Sequence, residues 1–248
     1  MSLPLGLTIG PAAALGAAFF LAAFVRGYSG FGFSALVVAF AGLVTNPVFL
    51  VPVVVLCEIA MTTVQTRGIL PLIDWRRLRP MLLGAAIAMP VSVTILAKVG
   101  QDPARLAISL FILAMCLLLL TGWTLKRTIG KTGHIGVGLV SGVANGAAVG
   151  GLPVAAFMAA QPISAPVFRA TMIAYLTAID LIALPIMWAN GLVTKETAVI
   201  FVMVIPLLAL GIWLGGRRFL SASPQSFRRM AIGLLLMLSV LGLLKSVI

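Results

Sequence analysis

The chain has 248 residues and a formal net charge of +12, yet only 9% of its residues are charged and 62% are hydrophobic. That balance excludes a water-soluble globule, which needs far more polar side chains to cover its surface. In a soluble protein the basic excess would point to nucleic acid. Carried on loops between apolar runs, it reads instead as the positive-inside bias of a membrane protein, and no nucleic-acid partner is expected.

The first half carries apolar segments at 4–25, 33–45, 47–66, 80–98 and 104–125. Leu106 to Leu125 runs twenty residues without a charge, enough to cross a bilayer core as a helix. The opening Met-Ser-Leu-Pro lacks a basic region, so the first run is expected to be a retained helix rather than a cleaved signal. The second half carries segments at about 134–145, 149–161, 166–189, 196–216 and 227–248. Its first two, about 12 and 13 residues long, are too short for a full span and are expected to form a re-entrant or broken-helix pair. The fold class is therefore all-α: a polytopic membrane protein of about eight to ten segments, with 1–248 forming one transmembrane domain.

Sliding the chain along itself by 119 residues lays Gly27 on Gly146, Gly32 on Gly151, and Pro47-Val48-Phe49 on Pro166-Val167-Phe168. Two repeats are expected, about 4–125 and 134–248. Loop charges give their orientation. Residues 67–79 carry Arg67, Arg76, Arg77 and Arg79 against Asp74 (net +3), and 126–134 carry Lys126, Arg127 and Lys131 (net +3). Residues 217–229 carry Arg217, Arg218, Arg228 and Arg229 (net +4), whereas Lys195 and Glu196 cancel in 190–196. The three basic loops are the cytoplasmic candidates. The shift lays 67–79 on 186–198, a cytoplasmic loop on an external one, so the repeats are inverted, a recurrent build of secondary transporters.

Two glycine-rich breaks interrupt these runs. The first is Arg26-Gly27-Tyr28-Ser29-Gly30-Phe31-Gly32, and the second extends from Ser141 through Asn145, Gly146, Gly150 and Gly151 to Pro153. Glycine weakens a helix and permits positive φ, so each stretch can end one helix and start the next. A helix start within the membrane presents unpaired N–H groups and suits an anion. Close packing of helices explains the same glycines equally well. Arg26 and Arg169 offer donor forks suited to oxyanions, or else snorkel to headgroups. Glu58 and Asp180 lie mid-segment, where a carboxyl relays protons or answers an arginine. His134, the single histidine, reads as a solvated interfacial residue, and Asp74-Trp75-Arg76-Arg77 as an interfacial anchor. Cys57 and Cys116 sit in apolar runs with no metal-ligand spacing, so neither metal nor cofactor is expected.

The Arg26 to Gly32 block, Ile73-Asp74-Trp75-Arg76, and Gly142 to Pro153 followed by Phe168-Arg169-Ala170-Thr171 resemble, in order and spacing, the motifs of the sulfite exporter TauE/SafE family. That family is also called the four-toluene sulfonate uptake permeases. The resemblance covers about residues 10 to 245; where the family usually has a tighter Gly-Gly-Pro, Leu152 stands between Gly151 and Pro153. It implies a multi-pass transporter of the bacterial inner membrane that moves sulfite, sulfonates or related organic anions and is not an enzyme. The expected partners are a small anion and the lipid bilayer, and association into a homo-oligomer is left open. The expected mechanism is alternating access, with substrate held by Arg26, Gly27, Ser29, Gly30, Gly32, Asn145, Gly146, Gly150, Gly151 and Arg169. Glu58 or Asp180 would couple proton movement. The rival readings are an intramembrane enzyme and a membrane assembly or scaffold protein. No Gly-xxxx-Gly-Lys-Ser/Thr loop for ATP is present.

Overall fold

A computed structural model describes residues 4–65, 68–122, 124–125, 129–219, 236 and 240. Every regular element among them is helical. In chain order these are α1 (Ile9–Ser29), α2 (Phe33–Val44), α3 (Pro47–Gln65), α4 (Trp75–Lys98), α5 (Gln101–Leu120), α6 (Lys131–Asn145), α7 (Gly151–Ala159), α8 (Ala165–Ala189) and α9 (Lys195–Phe219), with 3-10 turns at Pro4–Gly6 and Leu70–Leu72. These follow the expected segments closely, because hydropathy and proline positions both mark the boundaries. Pro47 opens α3, and Pro166 stands in the first turn of α8, where a missing N–H costs nothing. Apart from Leu236 and Val240, the expected 227–248 segment lies outside the described residues, as do the side chains of Arg67, Lys126, Arg127, Arg218, Arg228 and Arg229.

Helices α1, α3, α4, α5, α8 and α9 are long and apolar enough to cross a membrane. Their outward faces are apolar as well. Leu83, Ile87, Val91 and Ile95 recur every fourth residue of α4 and are all more than half exposed. Opposite them, Met81, Ala85, Met89 and Val93 are fully buried. An apolar stripe of that length facing outward suits lipid and not water. The chain is a polytopic α-helical membrane protein.

The short helices lie inside. With 12 residues α2 rises about 18 Å, and the 9-residue α7 rises less, so neither spans a core of about 30 Å. Residues Phe33 to Ala39 of α2 and Gly151 to Met158 of α7 are all buried. Each pairs with the helix before it as a hairpin. The 125–160 hairpin leaves on the side where it enters, since the Leu125 N–H donates to the Ala160 carbonyl at 2.8 Å. That side also holds the α3–α4 connection: Arg77 Nε donates to Gln161 Oε1 at 3.0 Å, and the Asp74 N–H to Thr171 Oγ1 at 2.9 Å. The α1–α2 hairpin opens on the other side. The residues before and at the start of α1 line a cleft with Ile200 and Met203 near the start of α9, and Gly42 of α2 lies beside Arg105 near the start of α5. Segments 33–45 and 134–161 thus turn back within the protein.

Two helix pairs frame the hairpins, α1 with α9 and α4 with α6, and each is closed by glycine. A Cβ on Gly215 would come 2.1 Å from the Phe24 carbonyl oxygen, and one on Gly211 2.6 Å from that of Phe20. In the other pair a Cβ on Gly138 would come 2.0 Å from the Met81 oxygen, and one on Gly84 2.1 Å from that of Ile135. Backbone therefore touches backbone along both crossings. Small residues allow that approach, and dispersion across it stands in for the hydrophobic drive that lipid cannot supply. Gly138→Val should cost about 1–3 kcal/mol by overpacking, read as a fall of several degrees in the apparent Tm in detergent. Gly136→Ala, on the same helix with nothing within 4 Å of its Cβ, should leave the Tm unchanged.

Candidate functional site

Both breaks are hairpin tips. In the first, Gly30 adopts φ +83° and closes α1 by donating its N–H to the Arg26 carbonyl at 2.8 Å. Gly32, at φ +93°, then starts α2. A side chain at either would be strained, which is why the break carries glycine there. Ser29 secures the tip, its hydroxyl lying 2.8 Å from the carbonyl oxygens of both Val25 and Phe31. In the second tip the left-handed position is Ala148, φ +56°, a conformation an L side chain rarely takes. Gly150 leaves no room for a Cβ, which would come 2.5 Å from the Ser141 carbonyl oxygen and 2.7 Å from Asn145 Cβ. Ser141 donates to the Gly150 carbonyl at 2.6 Å and accepts from the Tyr175 hydroxyl at 2.7 Å, which ties the tip to α8.

Between the tips lies a buried polar cluster. Arg26 has no exposed surface, and its Nη1 meets Glu58 Oε2 at 2.9 Å. Its Nη2 donates to Thr62 Oγ1 at 3.1 Å, and Thr62 touches the Thr177 hydroxyl at 2.6 Å, which joins α1, α3 and α8. The Asp180 carboxyl stands against those of Glu58 and the Asn145 amide, within the field of Arg26. Among the described residues, Glu58 Oε1 and Asp180 Oδ2 have no hydrogen-bond partner. Asn145 points its amide nitrogen at Met89 Sδ, 3.7 Å away. The sequence candidates Arg26, Glu58, Asp180 and Asn145 therefore converge on one spot.

Arg169 stands at the first tip. Its Nη2 donates to the Gly27 carbonyl at 2.7 Å, and a Cβ on Gly30 would come 2.9 Å from its Cγ. It also lines a cavity of about 490 Å³ on the side of the α3–α4 connection, with Gln65, Trp213 and Arg217 among the other walls. Arg217 lies over the Trp213 ring, 3.8 Å from its centroid.

The remaining candidates divide by geometry. Gly30 and Gly32 form the first tip, and Gly150 and Gly151 the start of α7. Gly27 and Gly146 sit in helix crossings: a Cβ would come 2.6 Å from the Ile212 oxygen and 2.5 Å from Ser92 Oγ respectively. His134 differs from its solvated expectation. It is buried, with Nδ1 2.9 Å from the Gly130 carbonyl and its ring edge-on to Phe157 at 5.1 Å, because the two arms of the second hairpin close over it. Trp75 is exposed as an anchor should be, while Asp74 caps α4 by accepting from the Arg77 N–H and pairs with the Arg77 guanidinium.

Sequence reading missed Thr62, Thr177, Tyr175 and Arg217. Thr62 was within reach, since it follows Glu58 by one helical turn on the same face. So was a second correspondence: the 119-residue shift lays Arg26 on Asn145, and these two stand at Glu58 and Asp180 respectively.

Short broken hairpins buried inside a ring of lipid-facing helices, with charge enclosed between them, define a polytopic membrane protein built around an internal polar site rather than a passive anchor. The family model described as sulfite exporter TauE/SafE matches residues 15–242. The chain belongs to the sulfite exporter TauE/SafE family, a family of transporters. No match was found among the curated proteins or among the solved structures.

Removing one member of a buried ion pair leaves the other uncompensated. Arg26→Met should cost about 3–5 kcal/mol, and adding Glu58→Leu should restore most of it. Thermal unfolding of the single and double variants in detergent measures both.

Proposed function

We propose that the protein carries sulfite, short sulfonates or related small organic anions across the bacterial inner membrane by alternating access between two inverted repeats. The observation that supports this most is the pairing of two buried hairpins that open on opposite sides and carry a charged cluster between their tips. The repeat relation is supported by element order: the 119-residue shift lays the starts of α2, α3 and α4 within one residue of the starts of α7, α8 and α9. It also exchanges the two glycine-closed pairs, α1 with α9 and α4 with α6.

In this reading the anion comes from the cavity lined by Arg169 and Arg217 and meets the N–H groups that open α2 and α7, around Gly30 to Gly32 and Gly150 to Gly151. Helix starts favour negative charge, and irregular backbone survives at this depth only where protein or a water-filled path surrounds it. Arg26 spends its charge on Glu58, so the attraction falls to Arg169 at the tip. Gly27 and Gly146 act by letting the framing helices close. Ser29 and Asn145 hold the tips in shape beside the anion. Rocking of one repeat against the other would open the path to each side in turn. A cell interior negative by 100 mV already favours exit of a monovalent anion by about 2.3 kcal/mol.

The test is flux of sulfite and of a short sulfonate into proteoliposomes. Saturable uptake is expected, and Arg169→Ala should lower it about tenfold or more, the loss of one charge-assisted hydrogen bond of about 1.5–3 kcal/mol. Uptake no faster than in empty liposomes, from protein that elutes as a single species, would remove the reading and favour a scaffold.

A further inference from the structure

The ion pair leaves one carboxyl unanswered. Asp180 is 3% exposed, and among the described residues no lysine, arginine or histidine lies within ion-pair distance of it. The charged and titratable groups that face it are Arg26 from α1, Glu58 from α3 and Tyr175 from its own helix. From α6 comes Asn145, a neutral amide. Arg26 directs its hydrogen bonds to Glu58 and Thr62. Counting Arg26 as +1 and Glu58 and Asp180 each as −1, the enclosed cluster would hold one net negative charge. Enclosing an unpaired charge costs several kcal/mol.

The orphan oxygens point to the remedy. Among the described residues, Glu58 Oε1 and Asp180 Oδ2 are both acceptors without a donor, on carboxyls that stand against each other, while Arg26 Nε beside them is a donor without an acceptor. A single hydrogen on Asp180 turns one acceptor into a donor, offers Glu58 its missing partner and brings the cluster to neutrality. A metal cation would instead have to sit beside the fixed guanidinium of Arg26. The 119-residue shift lays Arg26 on Asn145 but Glu58 on Thr177, so the two carboxyls are not equivalent positions; what the second hairpin brings to Asp180 is a neutral amide and no guanidinium.

We propose that Asp180 carries one proton between the hairpin tips, as the co-ion of the transported anion, while Arg26 and Glu58 remain a fixed ion pair. The coupling rests on the anion-transport reading, but the protonation of Asp180 does not. Bound proton lets Asp180 bridge to Glu58 across the α3–α8 contact. Its release leaves two facing carboxylates that repel, which loosens that contact between the repeats.

Two measurements on the full chain test this. Infrared spectroscopy of the purified protein at neutral pH should show the carbonyl stretch of a protonated carboxyl group. Asp180→Asn should abolish that band, and Asp180→Glu, which keeps the acid, should move it. Absence of the band in the unaltered protein, or its survival in Asp180→Asn, overturns the proposal. In proteoliposomes a pH gradient should drive sulfite accumulation, and Asp180→Asn should lose at least about tenfold of it while still exchanging labelled for unlabelled sulfite. Accumulation that follows a sodium gradient and ignores pH overturns the proton as co-ion. No sulfite flux in the unaltered protein, with the band present and assigned to Asp180, removes the transport reading and leaves the buried proton in place.

Discussion

A guanidinium sealed from solvent has to be answered from within, and the answer to Arg26 organises the centre of this protein. Glu58 supplies the charge, Thr62 takes a second N–H, and the Thr62–Thr177 contact carries the network into α8. Each partner sits on a different helix from Arg26, so the cluster constrains how α1, α3 and α8 meet. An ion pair of this kind is weak support for stability, because desolvation offsets most of the attraction. Its use is as a constraint: the tip of the first hairpin has to stop where Arg26 can reach Glu58.

Glycine makes that arrangement reachable. In lipid, two helices gain little from burying leucine against leucine, so they associate by approaching closely enough for backbone atoms to touch. The α1–α9 and α4–α6 pairs do so, and the hairpins hang from them: α1 and α6 are each one arm of a hairpin and one member of a framing pair. A shift of one pair therefore moves a tip. The tips themselves use glycine differently. Gly30 and Gly32 are needed for positive φ, while Gly150 is needed for room beside Ser141 and Asn145. One residue type thus serves three separate physical purposes within a few positions.

The spans were legible because a membrane tests each segment separately. Every stretch must satisfy its own backbone and meet lipid with apolar side chains, so hydropathy and proline mark α3, α4, α5, α8 and α9 without reference to a partner. The short lengths of α2 and α7 were legible for the same reason. The partnership of Arg26 with Glu58 was not, because it spans 32 residues and depends on where α1 stops against α3. Nor could sequence separate Gly27 from Gly30, since packing and turning demand the same side chain. His134 was misread because its burial depends on Phe157, which the second hairpin brings back from 23 positions away.

Sequence by itself determined the solvent of this protein, the places of its apolar segments over the described residues, the two points where helices break, and its family. Those properties are local: they follow from the composition and order of side chains along one helix at a time. Tertiary structure decided that the breaks turn back rather than cross, that Arg26 is neutralised at Glu58 while Arg169 stands at the tip beside the cavity, and that Asp180 faces an amide where Glu58 faces a guanidinium. Those properties depend on the distance between side chains on different helices. Close backbone contact sets that distance, and no pattern within a single helix records it.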